Sequence, residues 1–142
     1  MEREIVIVRR PEQRGDAFAV RIAVFVEEQQ IPREEELDEL DASAVHCVGY
    51  AGGKAVAAGR LVLADGYGKI GRMAVLPSHR RGGIGRAVLD ELEREASARG
   101  LAMVKLSAQL SAAGFYDRAG YTRIGDVYDE VGIPHIAMEK RL

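Results

Sequence analysis

Two spacings of apolar residues alternate along the chain. Ile5 to Val8 is a short β-branched run and predicts a first strand. Between Phe18 and Val26 the rhythm changes. Phe18, Ile22, Phe25 and Val26 fall near helical intervals, predicting a helix that Pro32 ends or bends. Three strand-like runs follow, Val45 to Tyr50, Ala55 to Ala64 and Gly68 to Val75. Ala51-Gly52-Gly53 and Asp65-Gly66 join them, and such short turns make consecutive strands antiparallel neighbours. Pro77 stops the third. Helical spacing returns in Ile84, Val88, Leu92 and Ala96, with Leu89 widening the stripe, arginines beside Glu91 and Glu95 on the polar side, and Gly100 as the stop. Leu101 to Ser107 predicts a strand, Ser111 to Ala119 a helix ended by Gly120, and Tyr121 to Ile124 and Ile136 to Lys140 two last strands. This order predicts an α+β fold, a mixed and mostly antiparallel sheet flanked by helices.

A chain of 142 residues has room for one domain, spanning 1–142, and can bury a core without staples. No apolar run approaches a membrane span, and the charged start Glu2-Arg3-Glu4 is unlike a secretory signal, so a cytoplasmic protein is expected. The single cysteine, Cys47, excludes a disulfide framework. Its neighbour His46 projects to the other face of a strand, so Cys47 reads as a small buried residue rather than an activated thiol. A net charge of −2 argues against bulk nucleic-acid binding. The charge is uneven: eight acids and one base lie between Glu27 and Asp41. Two readings of that segment stand side by side, a lure for a cationic substrate and a solvated face; charge runs are usually the latter. No metal site is expected.

Gly82-Gly83-Ile84-Gly85 lies between a strand and the strongest helix. Glycines there let backbone approach a ligand, and the unpaired amides and dipole of the helix start favour an anion. His79, Arg80, Arg81 and Arg86 add positive charge at the same point, which suits a pyrophosphate. A P-loop would need a Lys-Ser or Lys-Thr pair after the glycines, and a dinucleotide fingerprint would need a third glycine where Val88 stands.

Arg80-x-x-Gly83-x-Gly85 after a strand ending in Met73-Ala74-Val75 resembles motif A of the GNAT family of N-acetyltransferases. Phe115-Tyr116-Asp117-Arg118-Ala119-Gly120-Tyr121 is similar to the same family's F-Y-x-x-x-G-[FY] signature. A narrower resemblance, to the ElaA-like branch, rests on Arg21 to Gln29, on Ala108-Gln109 and on Gly132 to Met138. The resemblance implies acetyl-CoA as donor and co-substrate. It implies that the strands ending at Val75 and Ser107 splay, that pantetheine pairs with the edge at Met73 and Val75, and that amides from Arg81 through Gly82, Gly83, Ile84 and Gly85 to Arg86 hold the pyrophosphate. It counts Arg80 and Phe115 among the cofactor contacts. Many relatives place an asparagine after the second strand; Gln109 and Ser111 are the polar residues nearest that place here. It further implies a small-molecule or peptide amine as acceptor and admits a homodimer.

The implied reaction is direct attack of an amine on the thioester. Deprotonating a lysine-like amine at pH 7 costs about 4.6 kcal/mol, so a base or a desolvating pocket must contribute. Glu28, Glu36 and His135 are the base candidates, with a structural histidine the competing reading of His135. Tyr116 is the family's usual acid toward the departing thiolate. Full proton donation from tyrosine to a thiolate is uphill by about 2 kcal/mol, so its role reads as a hydrogen bond that strengthens with charge. A backbone amide at Met73 or Ala74 would polarise the carbonyl. A CoA-binding module without turnover remains the alternative.

Overall fold

The computed structural model describes residues 2–142. Seven strands form one sheet in the order β1-β2-β3-β4-β5-β7-β6. They are β1 (Arg3–Ile7), β2 (Val45–Ala51), β3 (Lys54–Leu63), β4 (Gly68–Val75), β5 (Met103–Gln109), β6 (Thr122–Glu130) and β7 (Ile133–Arg141). All neighbours are antiparallel except β4 and β5, which run parallel. The mixed, mostly antiparallel sheet is thus as the sequence predicts.

Helices cover both faces. Helix α3 (Ile84–Ala98) buries Ile84, Val88, Leu89, Leu92 and Ala96 against Cys47, Val56, Leu61 and Val104. Removing its apolar stripe from water stabilises the domain by roughly 1.5–3 kcal/mol per large side chain. Helix α4 (Ala113–Arg118), after a 3₁₀ turn at Leu110–Ala112, closes the same core. On the other face α1 (Pro11–Arg21) packs Ala17 and Val20 over Val48, Ala58 and Ala74.

The first helix departs from expectation at both ends. It begins at Pro11, well before Phe18. Proline is pre-set for the first helical position, and Gln13 Oε1 accepts from the Arg9 and Arg10 amides at 2.8 and 3.1 Å. Those first turns are polar, so the apolar rhythm hides them. Ile22–Glu28 continues as π-helix, with Gln29 N–H donating to Val24 O.

The acidic segment is only in part the solvated face that charge runs usually are: Glu27, Glu28, Glu34, Glu35 and Glu39 are exposed, but the rest turn inward. It folds into α2 (Arg33–Glu36) and a 3₁₀ turn, Glu39–Ala42, and buries Glu36 and Asp41. Arg21 from α1 donates to Glu36 at 2.7 Å and to Asp41 at 2.8 Å; Arg60 from β3 donates to Asp38 and Asp41 at 2.7 and 2.8 Å; Arg72 from β4 meets Glu36 and Asp38 at 3.1 and 3.2 Å. Its three inward carboxylates are therefore charge-matched by arginines scattered far along the chain.

The last hairpin is longer than Tyr121 to Ile124 and Ile136 to Lys140 suggested, turning at Val131 and Gly132, both at positive φ. Strand β6 is exposed at every position, so it carries no apolar alternation to read.

Candidate active site

Strands β4 and β5 pair only at Gly68–Val104 and Lys69–Lys105. Beyond these they diverge, leaving a V-shaped gap. The opening begins at an irregularity in β4. Arg60 faces Gly71 and Ala58 faces Ala74, so Arg72 and Met73 together oppose Gly59. Arg72 sits at φ +53, a conformation that its guanidinium helps to hold by donating to the carbonyl of Glu36 at 3.1 Å. A Cβ on Gly59 would meet Met73 Sδ at 2.6 Å, so the bulge leaves no room opposite it.

Past the bulge, Leu76 N–H donates to Val56 O. Alternation then turns Ala74 N–H into the β3 ladder and the Val75 amide and carbonyl toward the gap. The Val75 carbonyl is already capped, by Arg80 Nε at 2.9 Å. The cradle stands at the mouth of the gap. Arg81 at φ +68 and Gly83 at φ +89 turn the chain into α3, whose first amides have no helical partners. Gly85 lies where a Cβ would be 3.1 Å from Val75 and 3.8 Å from Phe115, so helix start, strand end and α4 converge there. Arg86 is exposed and bonds Asp90 at 3.0 Å.

Arg80 is committed elsewhere. Its guanidinium binds Glu28 through two hydrogen bonds, at 2.6 and 2.9 Å. That hydrogen bond holds the Glu28 carboxyl below the usual range, so Glu28 is an ion-pair partner here, not a free base. Glu36 is likewise engaged: burial raises its pKa, with Arg21 and Arg72 pulling the other way.

Tyr116 is buried, and its ring meets Phe115 and Tyr121 edge-on at 5.0 and 5.7 Å. Burial pushes its hydroxyl pKa up, which keeps the proton on at any physiological pH. His135 is also buried. Its Nδ1 lies 2.7 Å from Ile133 O, an acceptor, so Nδ1 carries the proton and donates. The other nitrogen, Nε2, lies 3.5 Å from Glu130. The ring stacks on Tyr128, whose hydroxyl hydrogen-bonds Ser107 on β5. Gln109, at the end of β5, donates to Gln29 Oε1 at 2.8 Å. Ser111 is exposed in the 3₁₀ turn that follows.

The structure thus brings Gly85, Val75 and Phe115 together at the mouth of the gap, with Arg80 and Glu28 beside Val75 and Gln109 against Gln29, while Tyr116 packs behind Phe115 and Glu36 is held in the arginine network. Three contributors escaped the sequence reading. Arg3, from the far edge strand, donates to Gly82 O at 3.4 Å and with Ser78, His79, Arg80 and Ile84 lines a hollow of about 390 Å³. Gln29 and the Ser107–Tyr128 pair are the others. Pairing across distant elements leaves no local pattern, although Gln29 stood inside a quoted motif. Cys47 is fully buried, its thiol pushed up to about 12 by burial, and His46 faces Phe18 on the opposite side. Among the described residues there is no cluster of three potential metal ligands, and no helix long and apolar enough to cross a membrane.

The model of the acetyltransferase (GNAT) domain matches residues 11–142. YjcF of Bacillus subtilis, an uncharacterized N-acetyltransferase, is 45% identical over 95% of this chain and 97% of its own. ElaA of Escherichia coli is 31% identical over 87% of this chain and 84% of its own. The crystal structure of an acyl-CoA N-acyltransferase from Pseudomonas aeruginosa has a TM-score of 0.86 at 28% identity, covering 98% of this chain and 99% of that one.

Proposed function

Because the chain belongs to the GNAT acetyltransferase family, we propose that it transfers an acetyl group from acetyl-CoA to a primary amine of a small molecule or peptide in the cytoplasm. The observation that carries this reading is the parting of β4 and β5 after two residue pairs, with the α3 amides at the mouth of the gap. Residues 81–86 would hold the pyrophosphate by backbone amides, and the helix dipole would favour it. Pantetheine would run along the free edge of β4. Its bond to the Val75 carbonyl would share that oxygen with Arg80 Nε, using the second lone pair. With Ala74 N–H turned into the ladder, polarising the thioester carbonyl falls to Met73.

The acceptor amine would attack directly, its nitrogen forming the amide as the C–S bond breaks. Tyr116, kept protonated by burial, would donate a hydrogen bond to the leaving sulfur. With Glu28 and Glu36 paired to arginines, His135 is the base candidate that remains, since Nδ1–H donation leaves Nε2 as the basic nitrogen.

A calorimetric titration with acetyl-CoA at low salt, followed by thiol release over a panel of amines, tests the reading. Saturable binding with amine-dependent release is expected. No binding at millimolar ligand would sink it. Binding without release from any amine would favour a CoA-binding module, the reading that the engagement of two carboxylates by arginines supports.

A further inference from the structure

Two consecutive residues at the end of the π-helical turns touch opposite walls of the gap. Glu28 binds Arg80, just beyond β4, at 2.6 Å, and Gln29 accepts from Gln109, the last residue of β5, at 2.8 Å. The segment is held firmly. Ile31 N–H donates to Phe25 O at 2.9 Å, Ile31 is buried, and Gln30 between them is locked at φ +61. The strap therefore joins strands that part company at Lys69 and Lys105. Near the vertex one face of the sheet is open, since a Cβ built on Gly71 meets nothing within 4 Å.

This arrangement bears on the length of the transferred group. Resting on the reading that acyl-CoA lies in the gap, we propose that Gln29, through its pairing with Gln109, is a specificity-determining residue that restricts the donor to short acyl chains. On that reading an acetyl methyl would end before the amide pair. A longer chain continuing toward the α1 face would have to part the two amides and leave both against hydrocarbon. An amide stripped of its partner in apolar surroundings is costly, whereas the same chain passing a small apolar residue loses nothing. The pair thus discriminates by the hydrogen bond it would forfeit as well as by bulk.

The test measures binding and kcat/KM for acetyl-, butyryl- and octanoyl-CoA with the wild type, Gln29→Ala and Gln29→Asn. The readout is each protein's octanoyl-to-acetyl ratio, which cancels any general loss of activity. The wild type is expected to prefer acetyl. Gln29→Ala should raise the ratio at least about tenfold, a size typical of pocket changes of one or two methylenes, and Gln29→Asn should raise it less. A wild type that takes octanoyl as readily as acetyl overturns the proposal, as does a ratio unmoved in both variants while acetyl-CoA still binds. Failure of every acyl-CoA to bind the wild type overturns the functional reading as well, so the two failures are distinguishable.

Discussion

Tyr116 and Asp41 show how burial sets the chemistry of single residues. Burial alone raises Tyr116, and a hydroxyl that keeps its proton can donate to a developing thiolate. Tyr116→Phe is expected to lower kcat by roughly 10²-fold, the usual loss for one donor to a developing anion, with little change in acetyl-CoA affinity. Steady-state rates and calorimetry together check this; an unchanged kcat would remove the hydroxyl from the reaction. Asp41 behaves in the opposite sense. Burial would raise it, but hydrogen bonds from Arg21 and Arg60 prevail and hold it at about 2. Its unfolded value is near 3.9, so the stability it contributes is complete above about pH 4 and disappears as pH falls through about 2, some 2–3 kcal/mol at most. Glu36, whose pKa burial raises, works against that trend. Urea midpoints measured from pH 5 to pH 2 should therefore fall, and fall less in Asp41→Asn than in the wild type.

At the scale of elements, the pattern of apolar positions carried most of the information. Helix α3 and strands β2 to β5 lie within two residues of their predicted bounds, because α3 presents a regular apolar stripe and the strands are apolar runs bounded by turn residues. Three features were not legible. The polar first turns of α1 have no stripe to read. Strand β6 is exposed throughout. The π-helical turns at Ile22–Glu28 follow from packing and from the anchoring of Ile31, which no local spacing encodes. The same split governs the site. The glycine cradle and Tyr116 are legible because their chemistry is contiguous in sequence, while the engagement of Glu28, Glu36 and Arg80 depends on partners tens of residues away. The bulge offers a direct test. Gly59→Ala would drive a methyl into Met73 and Leu92, at 2.6 and 2.9 Å. We expect a loss of about 1–3 kcal/mol in urea unfolding, and a weaker hold on acetyl-CoA if the β4 edge shifts with Met73.

Beside the two apolar cores, the arginine–carboxylate network ties α1, the acidic segment, β3 and β4 into one unit. Arg21, Arg60 and Arg72 come from α1, β3 and β4, and all converge on Glu36, Asp38 and Asp41 of the acidic segment. Removing one carboxylate leaves buried donors short of an acceptor. Glu36→Ala is therefore expected to cost about 1.5–3 kcal/mol, read as a lowered urea midpoint, because Arg21, only 1% exposed, keeps Asp41 but loses its charged bond to Glu36. A loss under 1 kcal/mol would mean that the network is a consequence of the fold and contributes little to holding it.

The two-pair contact between β4 and β5 has a kinetic corollary. The sheet is nearly severed along its length, and each part is contiguous in sequence: strands β1 to β4 precede α3 and strands β5 to β7 follow it. Half of the strand pairings, β2–β3, β3–β4 and β6–β7, are hairpins between consecutive strands, and such local contacts favour rapid folding. Along the seam between the parts, the strand edges beyond Lys69 and Lys105 do not pair with each other, and backbone without ladder bonds is where local opening costs least. Amide hydrogen exchange should reveal it as a line of weak protection flanked by two protected blocks, and an occupant of the gap that bonds both edges would act as the missing rung and erase that line.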